Sequence, residues 1–139
     1  MDQYILFFPL CKDAIIASVR KGLIDAKEKS LFCARLALEK KANNVVILEL
    51  KEFPTLTDYF LICSGESDRQ VKAIALFIEE KMAEEGIYPM GVEGMGEGRW
   101  VLLDYDDLVV HVFLEPVRLY YDLEGLWIDA PRIPLEEEG

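Results

Sequence analysis

A chain of 139 residues, 52% of them apolar, has material for one domain with a real core and too little for two ordinary ones. Its formal net charge of −11 excludes a general nucleic-acid binder, which needs cations to displace counterions from phosphates. The charge is uneven: residues 1–51 carry nine Lys/Arg against six Asp/Glu, and residues 52–139 carry six against twenty. An acidic half suits a basic partner and steers the encounter at low salt, although the same excess also serves plain solubility. Cys11, Cys33 and Cys63 are dispersed and form no CxxC, the pattern of reduced, mostly buried thiols in a cytosolic protein. The apolar stretch Tyr4–Leu10 contains Pro9 and falls well short of the roughly 20 residues of a membrane helix. It lacks the basic start and cleavage site of a signal peptide, so a cytoplasmic location is expected.

In chain order, residues 1–29 read as an N-terminal extension of unknown role. There Ile15, Ile16, Val19 and Leu23 make one helical stripe that Gly22 weakens. Ser30–Lys41, rich in Leu, Ala, Lys and Glu, predicts a helix that Asn43-Asn44 ends. Val45–Leu50 has the length and β-branched content of a strand, and Lys51–Asp58 is a loop broken by Pro54. Tyr59–Ser64 is apolar throughout and predicts a strand buried on both faces.

Ser67 with Gln70 predicts a capping box. After it Val71, Ile74, Ala75, Ile78 and Met82 share one helical face, and Gly86 is the expected stop. Ile87–Val92 predicts a short strand that Pro89 places at an edge. Gly94–Gly98 is a flexible loop. Trp100–Asp104 and Leu108–Leu114 then form a hairpin through Tyr105-Asp106-Asp107, and the second strand, apolar on both faces, should be central. A short helix is expected around Leu119–Leu126, and Glu136-Glu137-Glu138 is a solvated end. The order of elements predicts an α/β single domain: a mixed sheet of about five strands with helices packed on it.

The residues offer little for catalysis. Gly91–Gly98 has the glycines of a phosphate loop, but it leads into a strand and carries Glu93 and Glu97, which would repel phosphate. Asp104, Asp106 and Asp107 could hold Mg²⁺, yet Asp at a hairpin tip is ordinary turn chemistry. His111, the sole histidine, lies in an apolar strand and is expected to be a core residue with one backbone partner. Ser64, Cys63 and Asp58 have no nucleophile signature around them. No cofactor, no metal and no enzymatic centre are expected. Trp100 opens a strand directly after the glycine-rich loop, a position that suits either a core ring or an interface anchor.

The wording of residues 30–134 is more specific than any single motif. Asp58-Tyr59-Phe60, Arg69-Gln70-Val71, Trp100-Val101-Leu102, Val109-Val110-His111-Val112-Phe113, Tyr121-Asp122-Leu123-Glu124 and Asp129-Ala130-Pro131 together resemble the ribosomal silencing factor, or Iojap-like, family. The resemblance implies a fold related to nucleotidyltransferases without their catalysis. It implies a protein that binds the large ribosomal subunit at ribosomal protein fourteen and sterically blocks joining of the small subunit, repressing translation when nutrients are short. Organellar relatives act in large-subunit assembly, and a homodimer is an assembly the family often forms. Little direct nucleic-acid binding and no membrane binding are implied. On this reading residues 30–134 are the silencing-factor domain and 135–139 an acidic tail, and Trp100, with Met95, Glu93 and Glu97 nearby, is the expected partner-binding patch. Where the family usually has Gly-Asp after Asp104-Tyr105, this chain has Asp106-Asp107. Asp tolerates positive φ better than most residues, so the turn is expected to survive.

Overall fold

Helix α1 (Ala26–Glu39) opens where a carboxylate can cap it. In the computed structural model, which describes residues 25–135, Asp25 is extended and its Oδ1 accepts the Glu28 N–H at 2.9 Å. The helix therefore starts before the expected Ser30. Ser30 lies inside it, buried, its hydroxyl donating to the Ala26 carbonyl. The expectations for the 1–24 stripe, Tyr4–Leu10, Cys11 and Glu136–Glu138 concern residues outside those described.

Asn43-Asn44 does not end the helix but begins strand β1 (Asn43–Glu49). Asn44 sits at φ 51, and the register with β2 (Tyr59–Gly65) shifts between Asn43 and Val46. Ser67 caps α2 (Asp68–Glu84) by accepting the Gln70 N–H. The reciprocal bond is displaced by one residue, because Gln70 Oε1 accepts from the Glu66 N–H and not from Ser67. The expected stripe, Val71, Ile74, Ala75, Ile78 and Met82, is buried. Gly86 follows at φ +83. Strand β3 is only Gly91–Glu93, shorter than the expected 87–92, and it does lie at an edge. Strands β4 (Trp100–Asp104) and β5 (Leu108–Leu114) form the expected hairpin. Asp106 takes φ 76 at its tip, with the Asp104 carboxylate accepting its N–H.

The sheet runs β1-β2-β5-β4-β3. Strand β5 is central, parallel to β2 and antiparallel to β4, so the sheet is mixed. Alternation along the strands sorts side chains to two faces. One face sends Ile47, Leu61, Cys63, Val101, Leu103, Val110 and Val112 into the main core with the buried stripes of α1 and α2. The other sends Leu48, Ile62, Phe113, Phe60 and Trp100 into a second, aromatic cluster. That cluster is covered by helix α3 (Glu115–Tyr121), the single turn α4 (Leu123–Leu126) and the segment after it. The segment adds to the β1 edge: the Glu49 N–H donates to the Pro131 carbonyl, and the Ile133 N–H to the Ile47 carbonyl. The expected helix at 119–126 is thus two helices. They are split at Asp122, whose left-handed φ of 46 ends α3 and whose carboxylate caps α4. Among the described residues no helix is long and apolar enough to cross a membrane.

Candidate functional site

The site is built where three local features converge on the start of β4. The first is the loop after β3. Gly94 at φ +84 and Gly98 at φ +72 turn the chain, with the Gly98 N–H donating to the Gly94 carbonyl. A Cβ on Gly94 would collide with the Trp100 carbonyl oxygen, and one on Gly98 with the Asp68 carbonyl and the Lys72 side chain of α2. The loop is therefore folded tightly over the α2 N-terminus and delivers Arg99 and Trp100 to the sheet.

The second feature is α3, which begins directly after β5 with Pro116 in its first turn. Its Tyr120 and Tyr121 are 81% and 55% exposed. Between α3 and the glycine loop lies an open groove of about 490 Å³, lined among others by Glu97, Arg99, Trp100, Pro116, Tyr120 and Tyr121.

The third is the aromatic cluster beneath. Trp100, half-buried, stacks on Phe113 at 4.7 Å between ring centroids and meets the Tyr121 ring at 5.0 Å. Its indole Nε1–H donates to His111 Nδ1 at 3.1 Å. The expected backbone partner of His111 is thus replaced by a side chain. The imidazole packs edge-on against Phe60 at 4.6 Å. Burial pushes its pKa down to about 4, and Nε2 has no hydrogen-bond partner among the described residues.

A polar network holds α3 in place. Arg118, buried, grips Glu124 of α4 through two bonds, Nε to Oε1 at 3.1 Å and Nη2 to Oε2 at 2.7 Å. Its Nη1 donates to Ser64 Oγ at 3.0 Å, and that hydroxyl donates to Glu115 Oε1 at 2.6 Å. The Arg118 hydrogen bonds hold the Glu124 carboxyl below its ordinary range. Ser64 is therefore a structural link between β2 and α3, tied to Arg118 and Glu115 at once.

The remaining candidates are structural too. Cys33 and Cys63 are buried and free, and burial pushes the Cys63 thiol up to about 12 and raises that of Cys33 further. Asp107 pairs with Lys29 of α1 at 2.8 Å, and Asp104 caps the hairpin turn. Among the described residues no group of three or more His, Cys, Asp or Glu is placed to hold a metal ion.

Of the expected patch, Trp100 and Glu97 do share the groove. Glu93 is exposed on the edge strand opposite Leu102. Met95 is not beside Trp100 in packing: it lies against the main core on the other face of the sheet. Tyr120, Tyr121, Arg99 and Pro116 escaped the sequence reading. The one signal for them was a tyrosine pair following a proline directly after the central strand.

Comparison with known proteins agrees with this fold. The family model described as "Ribosomal silencing factor during starvation" matches residues 24–139. The chain is 48% identical over 98 residues to ribosomal silencing factor RsfS of Halalkalibacterium halodurans, covering 70% of this chain and 84% of that one. It is 47% identical to the Bacillus subtilis RsfS, covering 70% and 83%. A crystal structure of a Chromobacterium violaceum protein superposes with a TM-score of 0.74 at 34% identity, covering 84% of this chain and 95% of that one. With its five-stranded mixed sheet and the match over residues 24–139, the chain belongs to the family of ribosomal silencing factors during starvation, a non-enzymatic family.

Proposed function

We propose that this protein acts in the cytoplasm by docking on the large ribosomal subunit at ribosomal protein fourteen, through the groove between the glycine loop and α3. Occupied there, the subunit has no room for its smaller partner, and translation is repressed. The observation that carries this reading is the half-exposed Trp100, held rigidly at the groove floor and flanked by exposed Tyr120 and Tyr121. Aromatic rings set in a groove are the usual anchors of a protein interface. The acidic balance of residues 52–139 supports it, because ribosomal proteins sit among phosphates and are basic. Sedimentation of the protein with purified subunits tests it. Binding to the large subunit alone, weakening as salt rises, is expected. Equal binding to both subunits contradicts it.

A further inference from the structure

We propose that His111 is a positioning residue for docking: its unprotonated Nδ1 fixes the Trp100 indole in the orientation the groove presents. The consequence for binding rests on the docking reading above; the mechanism rests on geometry.

Trp100 pairs with Phe113 and Leu102 with His111, so Trp100 and His111 are diagonal neighbours on one face of the β4–β5 ladder. Large side chains reach one another at that spacing. Stacking on Phe113 fixes the plane of the indole but leaves its direction within the plane free. An indole has one polar atom, a donor, so a single acceptor can set that direction. His111 can serve because its own place is rigid: it sits in the central strand, is 4% exposed and is packed by Phe60.

The chemistry of the imidazole agrees. Burial keeps it neutral, and a neutral imidazole has one acceptor nitrogen and one donor. The donating indole selects Nδ1 as acceptor and leaves the proton on Nε2. Nε2–H then has no hydrogen-bond partner among the described residues, a cost that an apolar ring at this position would avoid. A histidine kept there at that cost is accounted for by what Nδ1 does for Trp100. With the indole already oriented, less side-chain freedom is lost on docking.

The test compares His111→Phe, which keeps the ring and loses the acceptor, with His111→Asn, whose Oδ1 can take the place of Nδ1. In ¹⁵N-labelled protein the Trp100 Nε1–H should exchange with solvent about tenfold faster or more in His111→Phe and shift upfield. The Trp127 indole should not move. Large-subunit affinity should fall about fivefold. His111→Asn should bring both readouts back toward the parent. A folded His111→Phe protein with an unmoved Trp100 resonance, or with parental affinity, overturns the proposal. The parent itself supplies a check independent of any variant. Histidine ¹⁵N shifts should show a bare Nδ1 and a protonated Nε2 at neutral pH, and the opposite tautomer or an imidazolium overturns the proposal. A parent protein that does not sediment with the large subunit contradicts the docking reading and the consequence for binding. The histidine shifts and the indole resonance then still decide the mechanism.

Discussion

At the scale of single residues, the docking proposal gives Trp100 two roles that substitution can separate. Its ring is half-buried on Phe113 and Tyr121, so Trp100→Ala should cost stability as well as affinity. Trp100→Phe keeps the stack and removes the indole edge. We expect it to weaken large-subunit binding by about 1–2 kcal/mol and to cost about 1 kcal/mol of stability, less than Trp100→Ala, because His111 Nδ1 loses its donor. Equilibrium binding and urea denaturation of the same preparation read both, and parental affinity would contradict the anchor role. Gly94 permits no such substitution. A Cβ there meets the Trp100 carbonyl at a φ of +84, so Gly94→Ala should lose about 2 kcal/mol or more by the same denaturation.

His111 also sets an acid limit. Its pKa is lowered from 6.5 to about 4 in the folded protein. The unfolded chain therefore binds the proton more tightly. Stability is whole above pH 6.5 and is lost as pH falls toward 4. The loss from this group should approach about 3 kcal/mol below that point. Glu124, whose carboxyl is held low by Arg118, loses stability in the same direction in the carboxylate range. His111→Asn should flatten the slope between pH 6.5 and 4, and an unchanged slope would assign the loss to carboxylates alone.

At the scale of elements, α3 has only seven residues and no side-chain N-cap. A helix this short is not stable by propensity. Its position depends on Arg118, which joins α3 to Ser64 of β2 and Glu124 of α4. Arg118→Ala leaves Glu124 without its cation and Ser64 without that donor, and should destabilise the fold by about 3 kcal/mol, measured as a shift in the denaturant midpoint. It should also loosen the tyrosine pair, so affinity falls further than stability alone explains. The hairpin tip makes a milder case. Asp106→Gly relieves a left-handed aspartate and should leave stability unchanged or raise it by about 0.5 kcal/mol.

The same elements show what a linear sequence can and cannot convey. Strands β2 and β5 were legible as short runs apolar on both faces, and the stripe of α2 because its burial repeats with the helical period. The start of α1 was not, because Asp25 and Ser30 are both residues that cap helices and only geometry shows which of them does. The main element of the candidate site was legible as one word, Trp100. Its surroundings were not: Tyr121 meets it and Tyr120 joins it in the groove through a helix too short to show periodicity, His111 shares its face by strand register, and the glycine loop carries Met95 to the main core. Residues distant in sequence are brought together by pairing, which leaves no local pattern.

At the scale of the whole molecule, one face of the sheet is spent on a conventional core under α1 and α2, and the other carries an aromatic cluster that reaches the surface at the groove. On the docking proposal, such a protein acts by occupying a surface. The net charge of −11 then contributes chiefly to encounter and salt dependence, and the rings to residence. The most direct measurement is sucrose-gradient sedimentation of large and small subunits mixed under joining conditions, with and without excess protein. Separate subunit peaks should replace the joined particle, the protein should travel with the large subunit, and Trp100→Phe should need about 5- to 30-fold more protein for the same effect. Undiminished joining while the protein is bound to the large subunit would contradict it.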